Sequence, residues 1–176
     1  MSPVRTERFP KTRFEVFAGK AEEFSWSMMS TLSAGKPNAA ASAAAHCVTN
    51  ACDALVVYHL GLRCKGQDHR EIVALLAGLP IPSVADHQRQ ILTVLDLKAG
   101  AEYEGRDVTL AEARAATERA ARVLRWARQN LPSRTMPVRR GEGALPRSQV
   151  RGNSLVRASG TAVPVRSTRT PSVREK

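Results

Sequence analysis

Apolar residues recur at helical spacing through the first 132 residues and lose all periodicity beyond them. Over 20–34, Phe24, Met28 and Leu32 stand at i, i+4 and i+8, one stripe of a helix that Gly35 and Pro37 end. The stretch from Asn38 to Leu62 is apolar on most sides, which suits a helix at the centre of a bundle. Gly61 and the run Arg63-Cys64-Lys65-Gly66-Gln67 interrupt the pattern, and Asp68 is placed to cap a short helix over His69 to Ala77. Past the Pro80-Ile81-Pro82 turn, the spacing predicts a fourth helix over Ser83 to Tyr103. The fifth helix has the clearest start, because Thr109-Leu110-Ala111-Glu112 forms a capping box whose hydroxyl and carboxylate satisfy free backbone N–H groups. Ala113, Ala116, Ala120, Val123, Leu124, Ala127 and Leu131 then share one arc, and Arg114, Glu118, Arg122, Arg125 and Arg128 take the other.

These elements predict an all-α fold, an antiparallel bundle of four to five helices over residues 20–132. Residues 1–19 form an N-terminal arm in which Phe9, Phe14 and Phe17 alternate with charges, expected to pack on the domain or on a neighbour. Residues 133–176 mix Ser, Thr, Pro, Gly and Arg with isolated Val and Leu, too little apolar surface to offset the entropy of ordering. They are expected to be a disordered C-terminal tail.

Composition sharpens this division. Hydrophobic residues make up 43% of the chain, largely as alanine, and aromatics only 5%, which favours helices packed closely through small side chains over a β-sandwich. The net charge of +11 is uneven: the tail holds ten basic residues against two acidic ones, which leaves only +3 for residues 1–132. Charge-driven binding is therefore expected first of the tail, through Arg139, Arg140, Arg147, Arg151 and Arg157, and says little about the domain.

Cys47, Cys52 and Cys64 form no C-x-x-C pair, and Cys47 and Cys52 lie about 140° apart on a helix. They read as small buried residues of a reducing compartment, with no metal or cofactor expected. The charged N-terminus lacks a signal-peptide core, and no apolar run approaches the roughly 20 residues of a membrane span. A cytoplasmic protein without membrane association is expected.

Polar groups on apolar arcs are where chemistry is sought. On the fourth helix Ile91, Val94 and Leu95 point inward, His87 falls near that arc, and Lys98 and Glu102 lie within about 20–60° of it. Lys98 and Glu102 are spaced to pair with each other, either as a structural ion pair or at an exposed helix end. On the second helix His46, Asn50 and Asp53 stack at i, i+4 and i+7, and Val57 and Leu60 continue the face. That stripe suits a dimer interface, a groove or a structural role, and it lacks the second histidine of a zinc motif. In the loop, Arg63 and His69 could bind phosphate or move protons, while Asp68 serves equally as a plain N-cap.

The stretch AAAHCVTNACDALVVYHLGLRCKGQDHREIVALL, then LDLKAGAEYEGRDVTLAEARAATERAARVLRWA, resembles bacterial HEPN-domain proteins (higher eukaryotes and prokaryotes nucleotide-binding) over residues 22–131. The L-G-x-R-x-x-G-Q-D-H loop and the K-x-x-x-E-Y-E-G-R segment running into A-E-A-R carry it. The resemblance implies an antiparallel bundle of four or five helices, commonly dimeric. In catalytic members it implies metal-independent RNA cleavage by an Arg-x(4–6)-His motif at the dimer interface, often with a small nucleotidyltransferase as partner. At the matching late-helix position this chain has Lys98 for Arg and Tyr103 for His. Lys is the weaker phosphate clamp, and a tyrosine with a pKa of about 10 is a poor base at neutral pH. Arg63 and His69 meet the motif's spacing, but in the earlier loop.

The expected function is accordingly a dimeric RNA-, nucleotide- or partner-binding accessory protein of a toxin–antitoxin or defence-type system, without strong catalysis. One alternative is a metal-independent endoribonuclease using Arg63, His69, Lys98 or Tyr103. The other is a tail-driven nucleic-acid tether on a dimerising scaffold.

Overall fold

A computed structural model describes residues 4–65, 71–103 and 105–133, with backbone alone for 100–103. Its elements run β1 (Thr6–Arg8), a 3-10 turn (Lys11–Arg13), α1 (Phe14–Ser33), α2 (Pro37–Leu60), β2 (Leu62–Cys64), α3 (Glu71–Leu76), α4 (Val84–Tyr103) and α5 (Leu110–Gln129). The architecture is an all-α bundle with one short two-stranded ribbon.

Helix α2 is the axle. It packs against α1, α4 and α5, and Ala40, Ala44, Ala45, Ala51 and Ala54 are each at most 1% exposed. Side chains this small let neighbouring backbones approach closely, and the larger Met28, Leu55, Leu76, Ile91, Val94 and Val123 fill the space between helices. Gly35, at φ 66°, reverses the chain between α1 and α2, and Pro37 opens α2 at the position where a missing N–H costs nothing. The short link makes α1 and α2 antiparallel neighbours.

Two sequence expectations need correction here. At 24 residues and a mean hydropathy of 1.2, α2 is long and apolar enough to cross a membrane by length and composition. The polar Thr49, Asn50 and Asp53 hide this, since only Asp53 among them carries a charge. In the bundle 78% of that apolar window is buried, as in the core helix of a folded domain. The second correction concerns the arm. Helix α1 begins at Phe14, ahead of Lys20, because Phe14 and Phe17 are buried against Ala54 and Val57 of α2. Burial of two aromatics outweighs the weak helical pattern of the residues around them.

The ribbon also departs from the helical pattern. Strand β1 pairs antiparallel with β2, with Thr6 opposite Cys64, Glu7 opposite Arg63 and Arg8 opposite Leu62. Gly61 makes the turn from α2 into β2 at φ 65°, a left-handed conformation that any side chain would strain. The last turn of α2 holds both ends of the folded unit: Lys11 Nζ donates to His59 O at 2.8 Å, and His59 Nε2 donates to Asn130 O at 3.2 Å. The lysine also places a cation at the negative end of the helix dipole.

Helix α5 follows its amphipathic pattern and starts at its capping box, with Glu112 N donating to Thr109 Oγ1 at 3.2 Å and Thr109 N to Glu112 Oε2 at 2.9 Å. Arg106 binds the same carboxylate at 2.9 Å, and Asn38 ties the approach to the start of α2 through Asp107 and the Val108 N–H. The Thr109 backbone bond, with help from its hydroxyl and Arg106, lowers the Glu112 pKa to about 2. Thr109→Ala is expected to cost about 1 kcal/mol in urea unfolding at neutral pH. The substitution keeps the backbone N–H that is the carboxylate's main partner and removes only the hydroxyl's share. Because the folded pKa is depressed, that share is present above the ordinary value of 4.5 and fades as pH falls toward about 2, so the variant's deficit should shrink in part in acid.

Candidate functional site

The ribbon, the residues flanking it and the first turns of α1 are rich in cations. Arg5, Arg8, Lys11, Arg13, Lys20, Arg63 and Lys65 lie on β1, the 3-10 turn, early α1 and β2, against the carboxylates of Glu7, Glu15 and Asp53. Their net charge of +4 exceeds the +3 of residues 1–132, so the rest of the domain is slightly acidic. Counting charge by segment conceals this, because the sequence separates the two strands by more than fifty residues that fold into α1 and α2.

Arg63 is the pivot of this face. Its guanidinium lies 5.3 Å from the Phe17 ring centroid, and Lys20 Nζ stands 5.9 Å from the same ring. Such contacts hold a cation in place without neutralising it. Glu7, opposite Arg63 in the ribbon, reaches Arg63 Nη1 at 3.8 Å and Lys65 Nζ at 3.5 Å. Both pairs are loose and partly solvated, so they orient the side chains more than they stabilise the fold. Arg63 Nε is buried and, among the described residues, has no hydrogen-bond partner, although the side chain as a whole is 43% exposed. A donor in that state favours any acceptor that reaches it.

Beneath the cations sits Asp53, only 7% exposed. Burial raises its carboxyl from 3.8 to about 6, against the opposing pull of Arg63 and Lys20. A carboxyl in that range beside a guanidinium can exchange a proton near neutral pH, a property more common at functional sites than in inert cores.

The other sequence candidates fall in several places. His46 stacks on Phe24 of α1 with ring centroids 4.9 Å apart, and Asn50 Nδ2 donates back to His46 O at 2.8 Å. Asp53 is buried, whereas His46 and Asn50 stay half-buried. Asp68 and His69 fall outside the described residues, as do Arg139, Arg140, Arg147, Arg151 and Arg157. Lys98 is half-buried on α4, while Glu102 and Tyr103 belong to the last turn of that helix, where only backbone is described. Among the candidates whose side chains are described, Arg63 of β2 and Asp53 of α2 come close enough to interact electrostatically.

The cysteines divide. Cys47 and Cys52 are fully buried, and burial raises both thiols, Cys47 to about 12, so neither is a nucleophile at neutral pH. Cys64 is half-buried beside the ribbon, its thiol 3.5 Å from Glu71 Oε2. Among the described residues no three His, Cys, Asp or Glu side chains converge as a metal site. Sequence reasoning misses Glu7, Phe17 and Lys20. No periodic signal announces β1, because Arg5-Thr6-Glu7-Arg8 are four polar residues in a row between Val4 and Phe9.

Comparison with protein-family models, with curated proteins and with solved structures gives no match for this chain.

The Asp53 shift makes a prediction with a definite sign. Below 3.8 the folded and unfolded chains both hold the proton, so nothing is lost. Between 3.8 and about 6 the unfolded chain ionises first, and stability falls as pH rises. Above that window the cost is constant, roughly 3 kcal/mol. Asp53→Asn should therefore stabilise the protein by about 1–3 kcal/mol at pH 7.5 and by little at pH 4, read from urea midpoints. Destabilisation at pH 7.5 would show instead that the ionised carboxylate is a required partner of Arg63.

Proposed function

We propose that this chain is a HEPN-like helical module that binds RNA or a nucleotide through the cationic ribbon, without strong catalysis. The observation that carries the reading is the grouping of Arg63, Lys65 and Lys20 about Phe17, Glu7 and Asp53, with Arg63 Nε buried and, among the described residues, unmatched. Phosphate oxygens would meet that donor, and Arg is the side chain best shaped for them. The sequence resemblance supplies the remainder of the proposal: a homodimer, a small nucleotidyltransferase as partner protein, and a role in a bacterial toxin–antitoxin or defence-type system. Light scattering tests the homodimer.

One observation favours the active ribonuclease as a second reading, the Asp53 carboxyl at about 6 beside Arg63. Metal-independent RNA cleavage that disappears in Asp53→Asn, with the fold retained, would establish it.

The binding proposal is tested on the full chain, so that the tail remains present. Arg63→Ala with Lys65→Ala should weaken single-stranded RNA binding and reduce the salt slope by about 0.7 for each phosphate that is no longer neutralised. The matching control replaces Arg139, Arg140, Arg147, Arg151 and Arg157 with serine. If the tail variant loses the affinity and the ribbon variant keeps it, the protein is a tail-driven tether and the ribbon reading fails.

A further inference from the structure

A second corner, where α4 begins and α5 ends, is built in a way that packing alone does not require. Ser83 is the single non-glycine among the described residues with a positive φ, at 60°. The carbonyls on either side of its nitrogen and carbon are each held by an aromatic side chain. Trp126 Nε1 donates to Pro82 O at 2.9 Å, and His87 Nδ1 meets Ser83 O at 2.8 Å. A carbonyl oxygen only accepts, so Nδ1 carries the hydrogen, and in the neutral ring Nε2 keeps its lone pair. The imidazole lies flat on the Trp126 indole, centroids 4.4 Å apart and planes 8° from parallel. Its position is thus fixed by a stack on one side and a hydrogen bond at one edge, which leaves Nε2 to act on a ligand.

That ring lines a cavity of about 370 Å³ with Arg122, Arg125, Trp126, Gln129 and Asn130. The size falls within the usual range for small-molecule sites. No carboxylate lines it. Arg122 is oriented by its Nε bond to Gln90 Oε1 at 2.9 Å, and Arg125 is exposed with no hydrogen bond or ion pair among the described residues. The nearest acidic side chain on α4, Asp86, is taken by Arg89 at 2.8 Å. Two guanidiniums three residues apart on one helix repel each other unless an anion lies between them. The first turn of α4 adds the positive end of a twenty-residue helix at the same corner.

We propose that this corner is a binding site for a terminal phosphate group, gripped by Arg122 and Arg125 and met by His87 Nε2 on a ring held by Trp126 and the Ser83 carbonyl. A phosphomonoester monoanion suits this set, because its charged oxygens accept from the two guanidiniums while its remaining P–OH donates to Nε2, and a carboxylate has no hydroxyl to give. The ligand is a phosphomonoester, carried either by a free nucleotide or by the 5′ end of an RNA strand. The site shares no residue with the cationic ribbon and stands whether or not the ribbon binds RNA.

The test uses the full chain with Trp26→Phe, because Trp26 is 74% exposed and its removal leaves Trp126 as the sole tryptophan reporter. Inorganic phosphate is titrated at constant ionic strength, followed by Trp126 fluorescence and its indole N–H resonance. A saturable response is expected, weakened about tenfold or more by Arg122→Ala or Arg125→Ala and unchanged by Arg114→Ala, an exposed arginine elsewhere on α5. Both arginines of the site are exposed, and far-UV circular dichroism checks that their variants fold. A nucleoside 5′-monophosphate and a short RNA with or without its 5′-phosphate then identify the source, and preference for either phosphorylated ligand supports the site. The proposal is overturned by a response that never saturates, by equal binding of acetate, or by retention of phosphate binding in the double variant Arg122→Ala/Arg125→Ala.

Discussion

The alanine-lined surface of α2 sets the geometry of everything else. Where Ala40, Ala44, Ala51 and Ala54 meet their neighbours, helix axes come close because there is no side chain to hold them apart. Dispersion contacts then accumulate along the full length of the helix, each weak and collectively large. The same closeness makes the fold sensitive to size. A larger residue at any of these sites would have to push apart two helices and not merely find a new rotamer.

Asp53 is the exception on that surface, and it links packing to charge. The helix that makes the core also carries one carboxylate into it, at the point where α1 and the ribbon supply Lys20 and Arg63. Those cations offset part of the desolvation and leave the rest. A core built for stability alone would place a neutral side chain there, since removing an ill-matched buried charge commonly stabilises a protein. Retaining such a group is the pattern of a site that exchanges stability for chemistry or for recognition.

Most of the helical framework is legible in the sequence because its signals are local. The capping box at Thr109, the glycines at 35 and 61, and the arc of Ala113, Ala116, Ala120, Val123 and Leu124 each lie within one or two helical turns. The ribbon is not legible, because β1 is three residues long and its partner lies beyond two whole helices. For the same reason residues 1–132 read as near neutral: summation along the chain averages cations that the fold brings together. Trp126 shows a third kind of failure. Its spacing on α5 does not assign it to the apolar arc, yet it is buried, because its indole N–H finds the Pro82 carbonyl of a distant turn. Spacing alone puts His87 near an inward arc, and the stack that gives it a role depends on that same distant tryptophan.

The last turn of α2 has one more consequence. His59 holds the arm through its carbonyl and the residue after α5 through its ring, so a single helical turn fastens the chain where it enters the bundle and where it leaves. The two ends of the folded unit are neighbours in space although more than a hundred residues apart in sequence. A short bridge could join them, and the order in which the helices are synthesised could be rotated without moving any of them. Topologically the bundle is close to a ring, and its connectivity is one choice among several that the same packing would accept.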